Sequence, residues 1–153
     1  MKTISEKILE IVPSARLGLL AIPPESVRRK ERAEDWSKQE ILGHLIDSTM
    51  NNHQRVVRGA LNAAANFPPY EQNRWVEVQG YNERDWEELV EMWALSNLHL
   101  CRMLDRLPAE ALNNPCNIGK EAPVALGFVV DDYLRHLNMH LSQILETPAS
   151  SCD

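Results

Sequence analysis

A helical period runs through nearly the whole chain and is broken only at a few points marked by proline and glycine. Apolar residues recur three and four apart over about residues 3–20, 37–62, 84–107 and 123–146, and no segment shows a convincing strand-like alternation. Each helical segment carries one apolar stripe, so the four must cover one another. A four-helix bundle does this with side chains on facing helices. Pro23-Pro24 closes the first segment, Pro108 the third and Thr147-Pro148 the fourth, while Pro123 suits the first turn of the fourth helix. Residues 66–81 are rich in breakers and aromatics and read as one long loop, the kind that often serves function.

At 153 residues and 44% hydrophobic, the chain is long enough for a single domain with a real core. That domain is expected to span residues 1–153, with 147–153 a loose tail. The net charge of −6 argues against a nucleic-acid surface. The dense basic run Arg28-Arg29-Lys30 passes straight into Glu31-Arg32-Ala33-Glu34-Asp35 and reads as a solvated, mixed-charge segment. No segment nears the roughly 20 apolar residues of a membrane span, and the N-terminal residues turn charged too early for a secretory leader. Cys101, Cys116 and Cys152 are scattered, without Cys-x-x-Cys spacing, and read as reduced thiols. These features predict a cytoplasmic protein with neither nucleic acid nor membrane as partner.

The most chemically informative residues are His136 and His140. Four apart on a helix, they lie about 40° apart on one face and can grip one ion from the same side. A third imidazole from a facing helix would complete a three-histidine site with open positions, as catalytic centres have. Both sit on the margin of the apolar face formed by Val130, Tyr133, Leu137, Leu141 and Ile144. Leu137 follows the first histidine, so the glutamate of His-Glu-x-x-His is absent.

The second helix opens with a capping box, Ser37 with Glu40. Projected at about 100° per residue, Leu42, Leu45, Ile46, Thr49, Val56, Val57 and Ala60 form its core face. His44 lies on the other side, in a polar stripe with Glu40, Asp47, Asn51, Arg55 and Arg58. Either that stripe faces solvent and His44 is a surface histidine, or it lines a polar cleft between helices. His53, about half a turn round from His44, reads as a partly buried packing residue. His99, beside the seam of the third helix, reads as structural or as a fourth ligand.

Four pieces of the chain together resemble the DinB-like superfamily of bacterial helical-bundle proteins, and especially its YfiT-like branch of metal-dependent hydrolases and thiol transferases. They are Trp36-Ser37; the run His44-Leu45-Ile46-Asp47-Ser48-Thr49-Met50-Asn51-Asn52-His53-Gln54-Arg55; Pro69-Tyr70-Glu71-Gln72-Asn73-Arg74-Trp75; and Tyr133 to Ile144 with His136 and His140. The resemblance covers about residues 30–146. It implies an all-α, up-down-down-up four-helix bundle with a long loop between helices two and three. It implies that His44, His136 and His140 hold a divalent metal, zinc or nickel, and that the polar stripe faces it. It further implies a homodimer and an enzyme that activates a low-molecular-weight thiol or a water against a small-molecule substrate, with thiol transfer favoured. The rival reading is a non-catalytic dimeric bundle with a structural or vestigial metal.

Three neutral imidazoles leave the ion its full charge, which can lower the pKa of bound water to about 7 and act likewise on a thiol. Asp47, one turn from His44, either orients an imidazole or takes a proton, or is simply a surface carboxylate. Asn51 and Arg55 lie further along the stripe. Arg55 suits a substrate carboxylate, unless Asp47 or Glu71 pairs with it. Gln143 falls close to His136 on the wheel and could touch a metal-bound water or simply pack. Tyr70 and Trp75 either form a lid or pack over the end of the bundle.

Overall fold

The computed structural model describes residues 2–62 and 64–146; the tail expected to be loose, residues 147–153, lies outside them. The helices are α1 (Ile4–Leu20), α2 (Pro24–Val27), α3 (Lys38–Leu61), α4 (Gln72–Gln79), α5 (Trp86–Leu104) and α6 (Leu126–Leu145). The four long ones form the bundle, and local chemistry sets three of their starts. Thr3 with Glu6 and Ser37 with Glu40 each make a complete capping box, and Asp85 accepts from the Glu88 N–H at the head of α5.

Contacts between helices give their directions. Trp86, at the start of α5, donates its indole N–H to the Leu19 carbonyl at the end of α1, and Ser5 near the start of α1 bonds Asp105 just beyond α5. These two helices are therefore antiparallel. Lys38 heads α3 and pairs with Glu146 past the end of α6 at 2.8 Å, while Gly59 near the end of α3 meets Leu126; this pair is antiparallel too. Asn97 meets Thr49 and His99 stacks on His53, so α3 and α5 run parallel. The order is up-down-down-up. Parallel neighbours need a connection that travels back along the bundle, and residues 62–85 are that connection.

This connection is more structured than the sequence predicts. It contains α4, which ends at Gly80 in the left-handed region (φ 57°), and a single 3-10 turn at Tyr81–Glu83. Its strand β1 (Ala65–Asn66) runs parallel to β2 (Pro115–Asn117), and β2 pairs antiparallel with β3 (Val124–Ala125). Strands of two or three residues have no period to read, which is why the sequence pattern passes over them. The same sheet delays α6: Val124 and Ala125 are committed to β3, so Pro123 precedes a strand and not a first helical turn.

Leu42, Leu45, Leu89, Trp93, Leu137 and Ile144 are fully buried in the shared core, each contributing about 1.5–3 kcal/mol by the usual measure of apolar burial. Within it runs a polar chain. Thr49 Oγ1 lies 2.9 Å from the Tyr133 hydroxyl, Tyr133 donates to Asn97 Oδ1, and Asn97 Nδ2 donates to the Trp93 carbonyl at 2.9 Å. This chain links α3, α5 and α6 just below the three histidines.

Gly43 lies under the Tyr81 ring, where an added Cβ would stand 2.1 Å from Tyr81 Cδ2. Alanine's helix preference, worth about 1 kcal/mol, cannot offset such an overlap. Gly43→Ala is expected to cost about 1–3 kcal/mol, seen as a lowered melting temperature; a melting temperature equal to wild type would contradict this packing.

Candidate metal centre

The antiparallel packing of α3 on α6 sets His44 against His136 and His140. One ring nitrogen from each falls within 4.8 Å of the others. Ring centroids are 4.9 Å apart for His44 and His136, 4.9 Å for His44 and His140, and 4.5 Å for His136 and His140, all edge to face. His44 Nε2 is only 3.0 Å from His136 Nε2. His136 and His140 are half-buried, as their place on the margin of the apolar face predicts.

His44 itself has no solvent exposure. Every residue from Leu42 to Thr49 is buried, because α5 and α6 pack on two sides while Trp36 and Tyr81 cover more of the surface. The Trp36 ring lies 4.9 Å from that of His44. A helical projection assumes one watery side, and the first half of α3 has none. Of the two readings of the polar stripe, the buried inter-helix cleft holds there. Further along, Asn51 and Arg55 are half-buried and Arg58 is exposed.

Neighbouring side chains set the imidazole tautomers. His140 Nδ1 lies 2.8 Å from Gln143 Oε1. An amide oxygen only accepts, so Nδ1 carries the proton and Nε2 keeps a lone pair. Ser48 Oγ lies 3.3 Å from His136 Nδ1 and can accept in the same way. With that bond made, the lone pair of His136 Nε2 points at His44 Nε2. At 3.0 Å the contact needs a proton or a cation between the two nitrogens. Buried His44 Nδ1 has no hydrogen-bond partner among the described residues. This set of three converging neutral nitrogens fits a divalent cation of the zinc class.

Burial pushes His44 down to about 3, with His136 and His140 adding repulsion. Burial likewise brings His136 down to about 4, helped by His140, and lowers His140. All three are held neutral, the form that ligates metal.

Asp47 makes different contacts from those expected. Its Oδ1 accepts from the Tyr81 hydroxyl and from Gln79 Nε2, each at 2.7 Å, and it bonds none of the histidines. Three residues beyond His44, its side chain points about 60° round the helix, towards α4 and Tyr81. Its buried Oδ2 has no partner among the described residues. Burial raises its pKa, and the bonds from Tyr81 and Gln79 oppose the rise. Asn51 donates back to the Asp47 carbonyl at 2.9 Å. Arg55 pairs with neither Asp47 nor Glu71, and Glu71 is held by Arg74 at 3.1 Å. Gln143 bonds His140 and not His136. Tyr70 and Trp75 stack at 4.5 Å, and His53 stacks on His99 at 5.0 Å, away from the cluster. Cys101 is buried and its thiol is pushed up to about 11, chiefly by burial, so it is no nucleophile.

Sequence reasoning missed Ser48, Gln79 and Tyr81. Ser48 was legible, since it lies one turn beyond His44 on the same stripe. Gln79 and Tyr81 reach Asp47 only because the return segment lies across α3. The cluster opens to solvent by two routes. An open cleft of about 640 Å³ reaches His140 past Trp36, Ile41 and Asn73. A pocket of about 170 Å³ reaches His136 past Arg55, Tyr70 and Phe128.

Known proteins resemble this chain. A protein of Oceanobacillus iheyensis whose name proposes a metal-dependent hydrolase is 24% identical over 144 residues, covering 92% of this chain and 83% of its own length. YfiT from Bacillus subtilis, described as a probable metal-dependent hydrolase with an unusual four-helix bundle topology, shares the fold. The TM-score is 0.79 at 19% identity, over 92% of this chain and 81% of that one. The profile of the DinB superfamily matches residues 9–144, and the chain therefore belongs to that superfamily.

Proposed function

We propose that this protein is a metal-dependent enzyme in which His44, His136 and His140 hold one divalent ion, zinc or nickel, and act on a small-molecule substrate. The observation that carries this is the convergence of three neutral imidazoles, two with their Nδ1 atoms engaged and their Nε2 atoms turned inward. When bound, such an ion supplies Lewis acidity that draws the pKa of a water or thiol towards neutrality.

The chain's own residues do the rest. Ser48 and Gln143 orient His136 and His140. Trp36 shields His44. Tyr81 and Gln79 fix one oxygen of Asp47 and leave the other free to take a proton. Arg55 lines the pocket that reaches His136, and Asn51 stands in the groove beside it. The names of both relatives speak for water as the nucleophile; thiol transfer is the second form of the same chemistry and rests on the sequence resemblance. A purely structural metal would be sealed from solvent, whereas two clefts reach these histidines, which favours the enzyme over a non-catalytic bundle.

Elemental analysis of tag-free protein is expected to find about one divalent ion per chain, with most of it lost in His44→Ala and in His136→Ala, because two imidazoles hold such an ion poorly. Unchanged stoichiometry in either variant would refute the ligand set.

The metal-free protein should also respond to acid. The folded-state pKa values of His44 and His136, about 3 and 4, lie below the unfolded value near 6.5, so protonation favours the unfolded chain. Stability is complete above about pH 6.5 and falls as pH drops towards the folded values. Melting temperatures from pH 7 to 4 should decline, and less steeply in His44→Gln. A flat profile would show that these imidazoles are not held neutral.

A further inference from the structure

Between α3 and α4 lies a groove of about 680 Å³, walled by Arg55, Arg58, Phe67, Tyr70, Trp75 and Val78 among others. The smaller pocket that reaches His136 shares Arg55, Pro69 and Tyr70 with it. The two adjoin at Arg55 and Tyr70, so that a ligand lying across both would take one path from the surface to His136.

Among the described residues, neither Arg55 nor Arg58 forms a salt bridge. The acids on the walls are already engaged, Glu71 with Arg74 at 3.1 Å and Asp132 with Arg135 at 2.6 Å. Half of the described lysines and arginines form no salt bridge, and among those Arg55 alone is half-buried. A half-buried guanidinium offers five N–H donors, and Arg55 meets no carboxylate among the described residues. Around it stand apolar side chains left open to water, Trp75 at 39% and Val78 at 87% exposure. Cations without partners beside open apolar walls, in a chain of net charge −6, describe a site for an anion that also has an apolar part.

We propose that this path binds small-molecule carboxylates, with a dicarboxylate end held by Arg55 and Arg58 and an apolar portion passing Tyr70 and Phe128 towards His136. Arg55 and Arg58 are three residues apart and so neighbours on one helix face, and each can take a carboxylate in a two-pronged hydrogen bond. Ser48, which touches His136, is seven residues before Arg55, about 10 Å along the helix axis. The substrate's reacting bond therefore sits several bonds from its carboxylates. This assignment gives the proposed enzyme a substrate class and rests on that reading only for which end reacts.

The test is calorimetric titration of the metal-free protein with 2-benzylsuccinate and with its uncharged diamide, with zinc loading of the same samples measured separately. The dicarboxylate is expected to bind at least about tenfold more tightly than the diamide, a difference of about 1.4 kcal/mol. Arg55→Met and Arg58→Met should each remove most of that preference at unchanged melting temperature. Arg102→Met, on α5 and outside the groove, should leave it intact. Equal affinity for the two probes, or a preference that survives both arginine substitutions, overturns the proposal. A preference abolished by Arg55→Met in protein that takes up no zinc would uphold the carboxylate site and defeat the metal reading. Stoichiometric zinc with no preference for charge would do the reverse.

Discussion

Tyr133 reaches from α6 across the core to Thr49 on α3 and Asn97 on α5, and the register of three helices depends on that meeting. Its hydroxyl is buried, so losing a partner there would leave a polar group unsatisfied in a medium that cannot replace it. A slide of either helix by one residue would break the contact. It would also move His136, one turn beyond Tyr133, away from His44. The apolar residues around it supply most of the free energy of folding, yet they tolerate many packings of similar volume. The hydrogen-bonded chain is more selective, and it brings imidazoles distant in sequence to within 3.0 Å of each other.

A second constraint follows from direction. Because α3 and α5 run parallel, the segment between them must return along the bundle, and it runs over the polar side of α3. That return brings Tyr81 onto Gly43 and both Tyr81 and Gln79 onto Asp47. It also builds the groove in which Arg55 and Arg58 lie. One helix therefore meets three environments along its length: a dry one at His44, a half-open one at Arg55 and water at Arg58.

The electrostatic consequences differ in sign along that helix. At the dry end, burial disfavours charge, and three imidazoles stay neutral with lone pairs available to a cation. At the open end, the guanidinium groups of Arg55 and Arg58 cannot lose their charge and have no carboxylate partner among the described residues. A molecule with an anionic end and a reactive end would meet complementary chemistry at both, which links the proposed metal centre to the proposed carboxylate groove.

Much of this was legible in the sequence. Breakers and apolar spacing marked four long helices, the Ser37–Glu40 capping box marked the start of α3, and the four-residue spacing of His136 and His140 marked a shared face. These are local properties, fixed by backbone geometry within a few turns. The strands β1, β2 and β3 and helix α4 were not legible, because such short elements exist only through pairing or packing with distant segments. Nor could the sequence alone decide whether the stripe bearing His44 faced water, since that depends on what covers α3 from outside it. The chain by itself determined which residues share a helix face. Tertiary packing decided which faces became dry, that Asp47 meets Tyr81 and not an imidazole, and that Arg55 stands half-buried without a carboxylate among the described residues, because burial and long-range contacts are properties of neighbours that no local period encodes.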